Sequence, residues 1–175
     1  MFSCKTENNL DKESITNKIE SLTSTDKKKA FLENIFFEYQ MILSDEERTI
    51  KQYGNDSPEF EKNQKGKLEK DDYFLTAIAT YFEKYGYPSR SGLGQYASIV
   101  PLIVHFYASD NKGFKKEHFK YFYGAFKFND IPKEYFLAYL NGYYEFNEGD
   151  PFVKNKQMGV SEEIYAIMDA MNIDY

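Results

Sequence analysis

The segment 97–106 constrains the fold of this chain more than any other, because apolar residues cover it nearly all round. A helix or strand that is apolar on every side is expected in a protein interior. Its β-branched residues would also suit a buried strand, but Pro101 lacks the N–H that a central strand needs and is tolerated near a helix start. We therefore predict a central helix here, with residues 100–106 the most buried part of the protein.

Apolar residues recur at helical spacing along most of the remaining chain. The first run follows Ser24, a good N-cap residue, and extends to about Tyr53. The second begins at Ser57-Pro58, a typical helix start, and ends at Gly86. Shorter runs lie at 119–126, 136–144 and 164–171. These patterns predict an all-α, single-domain helical bundle of five to seven helices over residues 26–175.

Charge and composition exclude several classes of function. The net charge is -6, so phosphate backbones would repel the chain and nucleic acid is not an expected partner. No window approaches the roughly 18 apolar residues of a membrane-spanning helix. One cysteine and two distant histidines do not make a metal site, and no calcium loop, phosphate-binding loop or serine elbow occurs. We therefore predict neither a metal nor another cofactor.

The first 25 residues are rich in Ser, Thr, Asn and Lys and show no periodicity, which predicts a flexible leader or tether. Phe2-Ser3-Cys4 resembles the end of a bacterial lipoprotein signal, in which the cysteine becomes the lipidated residue. A complete signal of this kind also has a basic and an apolar region upstream. Cys4 is thus a predicted lipidation site, and a chance cysteine in the leader of a cytoplasmic protein is the alternative.

The turn from Tyr85 to Arg90, Tyr-Gly-Tyr-Pro-Ser-Arg, precedes Gly94 and the apolar segment that contains His105. Together with Asp45-Glu46-Glu47-Arg48 and Asp71-Asp72, it resembles an uncharacterised bacterial family of unknown function with a Gly-Tyr/Trp-Pro-Ser/Thr-Arg turn. The resemblance covers roughly residues 30 to 150. The family includes lipoproteins of the Gram-negative envelope, which implies an envelope location through Cys4, and it carries no established activity.

Arg48 and Arg90 are unusual because the other 20 of the 22 basic residues are lysines. The planar guanidinium binds a carboxylate or phosphate through two parallel hydrogen bonds, which a lysine cannot do. We therefore predict Arg48 and Arg90 as binding residues, together with Asp72 of the Asp71-Asp72 pair. An internal salt bridge, such as Arg90 with Asp71 or Asp72, is the alternative.

His105 is the main candidate for acid–base chemistry. A histidine in an apolar helix is usually a neutral core residue with one hydrogen-bond partner. Alternatively, Asp45 or Asp71 could orient it as a general base. The second histidine, His118, follows two lysines and a glutamate, and we predict it to face solvent.

Two classes of function remain open. The favoured hypothesis is an envelope-anchored binding or interaction module, including an immunity or accessory protein, with a protein or small-molecule ligand. The alternative is a hydrolase-like enzyme that uses His105 with Asp45, Asp71 and Arg90. A stripe of tyrosines at helical spacing could serve as an aromatic platform for a peptide or sugar, although such stripes more often form the edge of a core. Its members are Tyr135, Tyr139 and Tyr143.

Overall fold

The structure is a computed structural model that describes the backbone of residues 4–108, 116–153 and 157–173, and side chains from Lys12 onward within these ranges. The regular structure of the described ranges is entirely helical, which confirms the predicted all-α class, with eight helices rather than five to seven. The helices are α1 (Cys4–Glu20), α2 (Thr25–Tyr53), α3 (Pro58–Tyr85), α4 (Arg90–Leu93), α5 (Gln95–Tyr107), α6 (Lys116–Lys127), α7 (Lys133–Glu148) and α8 (Val160–Ala170).

The long helices α2 and α3 form a hairpin whose ends lie where the sequence predicts them. The Ser24 side chain accepts a hydrogen bond from the backbone of Lys27 and so caps α2. Ser57 caps α3 in the same way, with Pro58 in the first turn. Between the two helices Gly54 has φ +86°, a conformation that glycine adopts without steric cost. The capping serines, Pro58 and Gly54 therefore determine where the two helices of this hairpin begin and end.

The central segment forms α5, which confirms the choice of helix over strand. It packs against α2, α3, α4 and α7, and Val100 and Val104 are fully buried. The expectation that residues 100–106 are the most buried part of the protein is wrong at one edge, since Phe106 is exposed and Ile103 is only partly buried. Ile99, just before this segment, is also only partly buried. These three positions share one stripe of the helix, and none of the described helices covers it.

Aromatic packing joins the C-terminal helices α6 and α7, and α8 packs against α7 with aliphatic side chains such as Ile164 and Ile167. The Phe126 and Phe136 rings stack at 4.5 Å between centroids, and Phe122 lies 4.3 Å from Tyr139. Tyr139 also contacts Tyr143 on the next turn of α7. Each buried ring removes roughly 150–250 Å² from water, so these helices share the core of α5.

The N-terminal region differs from the predicted flexible leader. Residues Cys4–Glu20 form α1, which packs against α3 and buries Ile15, Ile19 and the following Leu22. The Tyr85 hydroxyl donates to the carbonyls of Ile19 and Leu22, which ties this region to the end of α3. Three apolar residues at spacings of four and three are enough to dock a polar helix. The side chain of Cys4 lies outside the described residues.

Within the described residues, no helix has the length and apolar character required to cross a membrane.

Candidate functional site

Asp45 and Arg48, two predicted site residues, form an exposed ion pair on α2. The guanidinium donates to the Asp45 carboxylate at 2.8 Å, with side-chain exposures of 72% for Arg48 and 48% for Asp45. Exposed pairs of this kind contribute at most about 1 kcal/mol to stability. Asp45 also lines a shallow depression between α2 and α3, of about 340 Å³, together with Lys67. The arginine fork thus binds an acid of its own helix.

Asp71, in contrast, lies in a fully buried polar cluster. Its carboxylate accepts a hydrogen bond from the Lys67 ammonium at 2.9 Å and another from the Tyr39 hydroxyl at 2.6 Å. Lys67 donates as well to the backbone carbonyl of Tyr107 at 2.8 Å, so the cluster joins α3 to the end of α5. Burial, followed by the hydrogen bond to Asp71, raises the pKa of the Tyr39 hydroxyl well above its ordinary range.

His105 is fully buried and forms a pair with His118. Its Nδ1 lies 2.7 Å from the Pro101 carbonyl, and its Nε2 lies 2.8 Å from Nδ1 of His118. Because a carbonyl can only accept, His105 Nδ1 carries the hydrogen; in the neutral ring Nε2 then accepts from His118 Nδ1–H. The prediction that His118 faces solvent is wrong, since it lies one turn before the buried Phe122 on the inner face of α6.

Arg90 lies at the start of α4, where its side chain is exposed. Its backbone N–H donates to the Asp130 carboxylate at 2.7 Å, which ties α4 to the chain just before α7. The proposed partner Asp71 binds Lys67 instead, about 21 Å earlier along α3 than the turn that leads to Arg90. Asp72, the other proposed partner, is exposed on α3.

The candidate catalytic residues therefore occupy different environments. His105 and Asp71 are buried inside the bundle, whereas Asp45 is at the surface. A general base must reach a substrate proton within hydrogen-bond distance, which requires access from solvent. Among the residues that the structure describes, no three His, Cys, Asp or Glu side chains form a group that could hold a metal ion.

The uncovered stripe of α5 forms the floor of an open apolar cavity of about 350 Å³, which we call the α5 groove. Gln40 of α2 forms one wall, and Tyr135 and Ala138 of α7 form the other. The floor consists of five residues of α5, which are Ile99, Leu102, Ile103, Phe106 and Tyr107. Cavities of this size, mostly apolar and with a few polar atoms, are typical of binding sites.

Exposed aromatic side chains border the α5 groove. Phe106, Tyr107 and Tyr135 are 40%, 46% and 46% exposed, and Tyr96 lies near the start of α5 against Phe36. Of the tyrosine stripe considered as a platform, Tyr135 alone reaches this surface, since Tyr139 and Tyr143 are buried. Sequence reasoning missed the groove because it treated α5 as covered on every side.

No protein-family model matches the sequence, and no curated protein or solved structure is significantly similar to it.

Proposed function

We propose that this protein is a binding module and that the α5 groove receives an apolar segment of a partner protein. The observation that carries the proposal is the uncovered apolar stripe of α5, bordered by exposed aromatic side chains. A contiguous exposed apolar surface is costly in water and marks an interaction site in soluble proteins. Aromatic residues are also enriched in the energetically dominant parts of protein interfaces.

The lining of the groove favours binding over catalysis. Among the described residues that line the groove, the polar side chains are those of Gln40, Tyr107 and Tyr135, and none is an acid, a histidine or a lysine. The alternative hydrolase hypothesis would use His105 and Asp71, both of which are buried. That hypothesis therefore requires the bundle to open before a substrate could reach them.

Attachment to the cell envelope through Cys4 is a further part of the proposal. It is supported by Phe2-Ser3-Cys4 and by the resemblance to a family that includes envelope lipoproteins. An immunity or accessory protein would have this organisation, with an anchored N-terminus and a binding surface on the folded domain. Mass spectrometry of the membrane fraction should find a lipid-modified Cys4 and lose it in Cys4→Ser; an unmodified cysteine in the soluble fraction would contradict the anchor.

The groove itself can be tested by filling it. Ala138→Trp places an indole in the wall of the groove without removing any described contact, and Ala170→Trp adds the same ring to the exposed end of α8. Partner proteins captured from an envelope extract by the unmodified chain should be retained by Ala170→Trp and lost by Ala138→Trp. Equal capture by both variants would show that the α5 groove is not the binding surface.

A further inference from the structure

The α2 wall of the groove is acidic. Gln40 lines the groove, and Glu33 and Glu47 lie seven residues before and after it, so they align with Gln40 along one side of the helix. No basic residue occurs in α2 between Lys29 and Arg48. The face of α2 that carries Gln40 therefore presents one carboxylate before Gln40 and one after it.

The α7 wall has the same character. Glu134 and Glu145 lie four residues before and seven residues after Ala138, which places them in line with it, and all three are exposed. The only basic residue of α7 is Lys133 at its start. The floor of the groove is neutral, since α5 contains no Asp, Glu, Lys or Arg. Carboxylates thus border a neutral apolar surface on two sides.

The charge of the whole chain has the same asymmetry. Residues 128–175 contain nine Asp and Glu and three Lys, so they carry the entire net charge of -6, whereas residues 1–127 contain 19 acidic and 19 basic side chains. The part of the chain that contains α7 therefore carries the excess negative charge and produces a negative field, which salt screens beyond about 10 Å. Such fields attract a basic partner and accelerate its association.

Two of the wall carboxylates already interact with lysines of their own helix. Glu33 lies 3.8 Å from Lys29, and Glu47 binds Lys51, which lowers the pKa of Glu47. Both lysines are exposed. Lys29 lies about three helical turns before Gln40, and Lys51 lies about three turns after it. Exposed pairs of this type are weak, so a partner cation can replace either lysine at little cost.

We propose that the segment bound in the α5 groove is a basic amphipathic helix of a partner protein. This inference rests on the proposed function and adds the chemistry of the partner. The apolar face of that helix would pack on Ile99, Ile103 and Phe106, which extend over about 10 Å, or two helical turns. Its lysines or arginines would face the glutamates of α2 and α7, in the groove-binding mode common among helical ligands.

The same charges argue against other occupants. Anionic lipid surfaces and nucleic acids would meet the acidic walls and be repelled. A neutral apolar molecule would fit the floor but would make no use of the four aligned glutamates. The apolar cavity alone would accept any apolar helix. The four glutamates are the reason why we expect the partner helix to be basic.

The first test uses synthetic helices of about 18 residues, long enough to be helical when bound. One peptide carries leucine on one face and lysine on the other, a second carries glutamate instead of lysine, and a third is a scrambled form of the first. Fluorescence anisotropy with the full chain should show binding of the Leu/Lys helix alone, weakened by added salt. Equal binding of the Leu/Glu helix, or of the scrambled peptide, would overturn the basic-helix inference and leave the groove itself untouched.

The second test reverses charges at and away from the groove. Glu134→Lys/Glu145→Lys should weaken binding of the Leu/Lys helix about tenfold at low salt, because two attractive sites become repulsive. Glu69→Lys/Glu83→Lys makes the same charge change at exposed positions of α3 and should weaken it far less. Equal losses in the two double variants would show non-specific attraction and overturn the inference. Binding that survives Ala138→Trp would instead contradict the proposed function.

Discussion

The two sides of α5 show how one apolar helix can serve two purposes. On the packed side, Val100 and Val104 are fully buried, and His105 donates a hydrogen bond to the Pro101 carbonyl and accepts one from His118. On the open side, Ile103 and Phe106 face a groove that no described helix fills. The two sides have similar composition, and their surroundings alone distinguish them.

The difference indicates which changes should affect folding and which should affect binding. Polar groups on the packed side are matched by partners inside the bundle, so removal of one partner carries the desolvation cost of the other. The open side is less enclosed, since Ile103 is only partly buried against the core and Phe106 is exposed to water. Variants on the packed side should therefore lower the free energy of unfolding, and variants on the open side should lower affinity for a partner.

The largest effect should come from alkaline pH, which acts on several core tyrosines together. Burial is the main cause that raises the pKa of Tyr39, Tyr87 and Tyr139 above the ordinary value of 10.0. Above pH 10 the unfolded chain releases these protons while the folded chain retains them, so stability is full below pH 10 and falls as pH rises. Each such tyrosine contributes a loss of about 1.4 kcal/mol per pH unit.

Tyrosinate absorbance at 295 nm measures this transition without interference from tryptophan, since the chain has 16 tyrosines and no tryptophan. The core tyrosines should ionise in one cooperative step that coincides with loss of the helical circular dichroism signal. Urea unfolding free energies that stay constant between pH 9 and pH 11 would contradict this burial of tyrosine hydroxyls.

Removal of the buried carboxylate should have the next largest effect. Asp71→Ala deprives the buried Lys67 ammonium of its ion partner and the Tyr39 hydroxyl of its acceptor. Loss of one member of a buried pair costs about 3–5 kcal/mol. Asp72→Ala, at the exposed neighbouring position, should change stability by less than about 0.5 kcal/mol. Similar urea midpoints for the two variants would show that the cluster does not support the packed side.

The histidine pair should contribute a smaller amount. His118→Leu removes the N–H that His105 Nε2 accepts and should cost about 1–3 kcal/mol, whereas Lys120→Leu on the exposed face of α6 should be nearly neutral. Long-range ¹H–¹⁵N NMR spectra should find the His105 hydrogen on Nδ1. A hydrogen on Nε2 of His105 in the neutral protein would refute the assigned arrangement.

Local signals explain why much of the fold could be predicted from the sequence. Ser24, Ser57 and Gly86 mark helix ends through contacts within a few residues, and those ends are confirmed. The choice of helix over strand for the segment around Pro101 is confirmed, although Pro101 lies inside α5 rather than near its start. The docking of α1 was missed because the three buried apolar residues in and just after it are sparse in a polar segment, and their importance depends on the partner helix α3.

The site depended on tertiary packing and was harder to predict. Charged neighbours suggested an exposed His118, although its spacing of four residues from Phe122 could have indicated the buried face. Asp71 gave no local sign of burial, since Asp72 beside it is exposed. The α5 groove could not be inferred at all, because an apolar stripe has the same sequence whether or not another helix covers it.

The smallest effect on stability, and the sharpest separation of the two sides, should come from Phe106→Ser. Phe106 is partly exposed in the groove, so its loss should change the free energy of unfolding by no more than about 0.5–1 kcal/mol. It should nevertheless reduce affinity for the Leu/Lys helix at least tenfold, because an interface aromatic often contributes about 1.4 kcal/mol or more to binding.

Phe128→Ser removes the same ring from a position that is 82% exposed and outside the groove, and it should alter neither quantity. If Phe106→Ser unfolds the protein, the open side is part of the core; if it leaves peptide affinity unchanged, the exposed aromatic border has no part in binding.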